Sequence, residues 1–117
     1  MAPVEAESTA PVLEVQDQEL EVLEPVRITG YCLQGVTASG EEVREGICAY
    51  RPEDIGKTAV IYDARQQIIG IYDILDTGGE LIRNGEVIDI WFPTKTDCFR
   101  ITQEGFVQVV ELQGDEQ

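Results

Sequence analysis

Histidine is absent from this 117-residue chain, and basic residues are scarce: 8 Lys and Arg stand against 23 Asp and Glu. Without imidazole there is no Ser/His or Cys/His nucleophile pair and no His-ligated metal site. The net charge of -15 excludes a general binder of nucleic acid or of anionic membranes, whose phosphates would repel it. Cysteine is sparse too, at Cys32, Cys48 and Cys98 with no CxxC pair, so a zinc site is not expected. The odd count allows at most one internal disulfide. With no base to activate a thiolate, the cysteines read as small apolar core residues. No apolar run approaches the ~20 residues that span a bilayer, and no export-signal pattern opens the chain. What remains for chemistry is the carboxylate.

The acid is unevenly placed. Glu5, Glu7, Glu14, Asp17, Glu19, Glu21 and Glu24 fall in residues 1–26, which contain no Lys or Arg. Pro3, Pro11 and Pro25 punctuate the same stretch. Such a composition buries too little apolar area to offset chain entropy, so residues 1–25 are expected to be a disordered acidic linker. Asp115 and Glu116 make residues 113–117 an acidic tail. All the basic residues sit between these ends, so residues 26–112 read as a mixed-charge globular domain, expected to be a monomer.

Inside that domain the pattern is β. Val26, Ile28 and Gly30 alternate with Arg27, Thr29 and Tyr31. Ile47 to Tyr50 is a short apolar run, and Arg51 to Gly56 is a turn with Pro52 inside it. Further strands are expected over Thr58–Tyr62, Ile68–Leu75, Glu86–Phe92 and Phe106–Leu112. Asp63 to Gln67 reads as a hairpin loop, and Glu80 to Gly85 as another loop. Thr94 with Asp97 three residues later has the shape of a capping box, which starts a short helix over Lys95–Ile101. Six strands and one short helix, with turns every ~8–12 residues, point to an all-β fold closed into a small barrel with no open edge. Ile61, Ile71, Ile88, Ile90 and Phe106 are expected to fill its narrow core.

Two carboxylates stand out. Along Ile88-Asp89-Ile90-Trp91-Phe92, alternation places Asp89 and Trp91 on the face opposite the isoleucines. An indole beside an acid offers a flat platform to a sugar and desolvates the carboxyl, raising its pKa. The same alternation also describes an ordinary strand with one polar face. Asp76-Thr77-Gly78-Gly79 ends the preceding strand. Its glycines permit positive φ and close approach of the backbone to a substrate, and a charged Asp76 would hold a proton on Asp89 by repulsion. Read locally, the tetrapeptide is also a good β-turn. Thr37 and Ser39, in Thr37-Ala38-Ser39-Gly40, are either sugar-hydroxyl partners or turn formers, and Tyr31 either lines the same groove or packs at the barrel rim. Asp-Thr-Gly is also an aspartic-protease signature, but one copy in a chain this short makes that a minor alternative.

Tyr31-Cys32, Gly35 to Gly40, Gly56-Lys57-Thr58, Asp76 to Gly79 and Ile88 to Phe92 occur in that order. Over residues 28–111 the series resembles the 3D domain, named for three aspartates. The resemblance implies a double-psi β-barrel of bacterial cell-wall proteins, such as the barrel of membrane-bound lytic transglycosylase A and stationary-phase and resuscitation-type muralytic proteins. It implies cleavage of the β-1,4 bond between N-acetylmuramic acid and N-acetylglucosamine in peptidoglycan, outside the cytoplasmic membrane. Asp89 is then the general acid/base and Asp76 its companion. Tyr31, Thr37, Ser39, Gly78, Gly79 and Trp91 would line the substrate site, with no metal or cofactor. Two departures stand against the family pattern. Tyr50 or Arg51 occupies the place of a family aspartate, with Asp54 falling later, and the loop after Asp76-Thr77-Gly78-Gly79 is longer. A wall-binding barrel that has lost turnover is therefore the alternative expectation.

Overall fold

The computed structural model describes residues 23–111. The expectations for residues 1–22 and 112–117 lie outside the described residues. Six strands form a closed barrel: β1 (Glu24–Tyr31), β2 (Ile47–Ala49), β3 (Thr58–Asp63), β4 (Ile68–Asp76), β5 (Val87–Trp91) and β6 (Gln103–Val110), in the order β1-β5-β2-β4-β3-β6. The all-β barrel expected from the spacing is present. Closure gives every strand a partner on both sides, where an open sheet would leave two edges free for other chains.

The pairing is mixed. β1–β5 and β2–β4 run parallel, while β1–β6, β2–β5, β3–β4 and β3–β6 run antiparallel. Exchanging β1, β2 and β3 for β4, β5 and β6 reproduces every one of these pairings. The barrel thus has a two-fold internal topology, in which the first strand of each half pairs in parallel with the middle strand of the other half. β1 starts at Glu24, ahead of the expected boundary. Residues 24–26 pair only with β6, and β5 joins at Arg27, so Pro25 meets no strand that would need its missing N–H.

Ile28, Cys48, Tyr50, Ile61, Ile74, Ile88, Ile90 and Val107 form the inner core, all at most 1% exposed. Each fully buried isoleucine contributes roughly 1.5–3 kcal/mol over its exposed state. Two expected core residues lie elsewhere. Ile71 is 61% exposed, because Tyr72 and Ile74 point inward on β4 and alternation turns Ile71 out. Phe106 is only half-buried, since its neighbour Val107 takes the inward position.

The helix Lys95–Ile101 forms as the capping signal predicted; it is the second helix, α2. Thr94 Oγ1 accepts from the Asp97 backbone N–H at 3.3 Å and donates to the Asp97 carboxylate. The first helix, α1 (Glu80–Arg83), is a single turn where a loop was expected. The β3–β4 hairpin closes at Asp63, whose Oδ1 accepts from the N–H groups of Arg65 and Gln67, with Gln66 at φ 68°.

Candidate functional site

The strand register sets the geometry of the acids. Thr29 on β1 pairs with Asp89 on β5, Asp89 with Ala49 on β2, and Ala49 with Asp76 on β4. A bulge between Cys48 and Ala49 brings Asp76, rather than Leu75, into this row. Ile28, Cys48, Ile88 and Ile90 point into the core, so Thr29, Asp89 and Ala49 present the opposite face. Asp76 and Asp89 are therefore two strands apart in one register row, on either side of Ala49.

Asp89 Oδ1 accepts a 2.6 Å hydrogen bond from the Thr29 hydroxyl. Its carboxyl receives no other hydrogen bond among the described residues. Burial pushes its pKa above the ordinary carboxylate value; the Thr29 bond opposes this and the negative charge of Asp76 adds to it. Burial and the neighbouring Asp76 charge thus favour the protonated form of Asp89, the form a general acid requires.

Asp76 is held as a fixed acceptor. Its Oδ1 takes the Ala38 N–H at 2.9 Å and the Thr77 N–H at 3.0 Å, and its Oδ2 takes the Tyr31 hydroxyl at 3.1 Å. Tyr31 starts on β1, three strands from β4, so its side chain crosses the face above β5 and β2 to reach Asp76. Burial raises the Tyr31 phenol far above its ordinary value, and the charge and hydrogen bond of Asp76, then the charge of Asp89, add to the rise. The phenol stays a neutral donor.

The segment between β1 and β2 folds over this face. The Ser39 N–H donates to the Leu75 carbonyl at 3.0 Å, Val43 packs on Ile47, Leu75 and Trp91, and Trp91 Nε1 donates to the Leu33 carbonyl at 2.9 Å. Trp91 is only 7% exposed. The indole expected as an open sugar platform is instead the centre of a second apolar cluster. A ring this large gains more from burial against Ile47 and Leu75 than alternation alone reveals.

The other expected site residues divide. Thr37 is buried, and its hydroxyl donates to the Glu41 carbonyl at 2.8 Å. That uses its single proton, so the 2.8 Å contact with Ser39 Oγ has Ser39 as donor. Both hydroxyls serve the turn, rather than standing free for a sugar. Gly78 and Gly79 do not adopt positive φ; Gly79 is an extended helix N-cap at φ -70°. A Cβ on Gly78 would meet the Ile82 side chain at 2.8 Å, so that glycine permits the α1 turn to pack. Thr77 Oγ1, between Asp76 and these glycines, is buried with no hydrogen-bond partner.

Arg51 stands apart from the acid row. Its Nε donates to Asp54 Oδ2 at 2.9 Å, Lys57 Nζ reaches Asp54 Oδ1 at 3.3 Å, and Glu24 lies 3.6 Å from Arg51. Asp54 is buried within this network and takes no part in the Asp76–Asp89 row. The guanidinium also stacks over Tyr50, 4.9 Å from the ring centroid. Sequence reasoning missed Thr29, Ala38 and Ala49. Thr29 was within reach, since it shares strand parity with Tyr31; Ala38 and Ala49 carry no signal until the register is known. Among the described residues no cluster of three or more His, Cys, Asp or Glu is arranged to hold a metal ion. No protein-family model, curated protein or solved structure matches the chain.

Proposed function

We propose that the chain is a 3D-type double-psi β-barrel that cleaves peptidoglycan glycan strands by the lytic transglycosylase route, outside the cytoplasmic membrane. The observation that carries the reading is the pairing of Asp89, its pKa raised by burial and by Asp76, with an Asp76 carboxylate fixed by three donors. The two parallel strand pairs, related by the internal two-fold topology, and the ordered series of motifs support the family assignment.

In this mechanism Asp89 protonates the glycosidic oxygen between N-acetylmuramic acid and N-acetylglucosamine, and the bond to the anomeric carbon breaks. Asp76 stabilises the positive charge that develops there. Asp89, now a carboxylate, takes the proton from the muramic C6 hydroxyl, whose oxygen bonds the anomeric carbon to give the 1,6-anhydro sugar. Thr29 orients the Asp89 carboxyl through Oδ1 and leaves Oδ2 for the sugar. The test is digestion of purified sacculi, read by mass spectrometry. Anhydromuropeptides from the wild type, lost in Asp89→Asn, are expected. Identical traces from the two proteins end this reading, and reducing ends without the anhydro form indicate hydrolysis instead.

A wall-binding barrel without turnover is the second reading. It is favoured by Tyr50 and Arg51, at the place where a family aspartate is expected: Tyr50 is buried in the core, and Arg51 is committed to Asp54 and Glu24. It predicts co-sedimentation with sacculi that Asp89→Asn does not change, and no soluble fragments.

A further inference from the structure

All three cysteines are free thiols, and they fall into two environments. Cys48 is fully buried in the inner core, sealed from any reagent while the barrel is folded. Cys32 is half-buried just beyond the end of β1, and Cys98 is 6% exposed in the middle of α2.

The packing of α2 on β1 brings the second pair together. A Cβ built on Gly30 would lie 2.9 Å from the Cα of Cys98 and 3.0 Å from its carbonyl oxygen. The helix backbone therefore rests directly on β1 at Gly30, and the direction of the missing Cβ points at Cys98. Side chains two residues apart on a strand share a face, so Cys32 extends to the same side. The contact at Gly30 thus places Cys98 beside the stretch of chain that carries Cys32; burial pushes the Cys98 thiol above its ordinary value, and Cys32 adds to the rise. Glycine at position 30 permits this approach, since any side chain would drive the helix and its cysteine away.

We propose that Cys32 and Cys98 are a disulfide site, closed by a small-molecule or protein disulfide as oxidant. The thiolate of Cys32, the more exposed of the two, attacks the oxidant's S–S bond and releases one of its halves as a thiol, leaving a mixed disulfide. The thiolate of Cys98 then attacks the Cys32 sulfur and expels the second half as a thiol. The two cysteine protons end on the two released thiols, and the electron pair of the new bond is balanced by reduction of the oxidant. Cys48 takes no part, which accounts for the odd cysteine count. The bridge ties α2 to the root of the segment that carries Leu33, the partner of Trp91, and Ala38, the partner of Asp76. It constrains a long stretch of the unfolded chain and so raises stability. The inference is independent of the glycan-cleaving reading.

The test uses the full chain equilibrated with oxidised glutathione and then alkylated under native conditions. The expected result is an intact mass lower by about 2 Da, the two lost thiol hydrogens. A proteolytic peptide pair should link Cys32 to Cys98, with Cys48 alkylated only after denaturation. The thermal midpoint should rise by several degrees and return on adding reductant. Cys48→Ala should behave like the wild type, and Cys32→Ser and Cys98→Ser should each lose the shift. Full native alkylation of Cys32 after oxidation, a stable glutathione adduct on it, or a disulfide-linked dimer would overturn the proposal.

Discussion

Asp89 and Asp76 occupy one row of the barrel, with Ala49 alone between them. That arrangement follows from the β2–β4 bulge, which replaces Leu75 by Asp76 opposite Ala49. The consequences are electrostatic: one acid is pulled from water beside another that three donors hold in place.

Asp89→Asn tests the energetic cost of that arrangement. A raised folded pKa means the native state holds a proton that the unfolded chain releases. Wild-type stability therefore falls as pH rises from the ordinary value of 3.8 through the raised one, and the deficit stays constant above it. Asparagine keeps the acceptor for Thr29 and carries no charge. Thermal melts should show the variant more stable than the wild type at neutral pH, with the difference closing at about pH 3. A variant less stable at neutral pH contradicts the account.

Tyr31→Phe removes the hydroxyl that spans the face to Asp76. A hydrogen bond to a charged acceptor is worth about 1.5–3 kcal/mol, so the stability read by urea unfolding should fall by that amount. The loss should also loosen the covering segment, read as faster amide exchange at Ala38, whose N–H shares the Asp76 carboxylate.

Gly30→Ala should be costly and Gly79→Ala nearly neutral. At position 30 the new methyl meets helix backbone at 2.9 Å, which cannot step aside, and overpacking of this kind costs about 1–3 kcal/mol. At position 79 nothing lies within 4 Å and the backbone is extended. Chemical denaturation of the two variants separates these outcomes, and equal effects would show that α2 does not rest on β1 as described.

The fold was legible because its signals are local. Alternation along Val26–Tyr31, the breaks at Pro52 and Gly56, and the Thr94–Asp97 cap each fix an element without knowledge of its neighbours. The α1 turn was not, since four residues give too little periodicity to distinguish helix from loop. Within the site, the parity of Asp89 was readable from the isoleucines on either side. The burial of Trp91 was not, because it depends on Val43 and Leu33, which approach from a segment that lacks regular structure. The same holds for Thr37 and Ser39: their residue types suit a sugar as well as a turn, and only the contacts with Glu41 decide.

Titration of the Asp89 side-chain carboxyl by carbon-detected NMR, in the wild type and in Asp76→Asn, tests the central claim most directly. The account predicts a wild-type midpoint above 3.8 that moves down when the charge at position 76 is removed. A midpoint at or below 3.8, unchanged by that substitution, would contradict it.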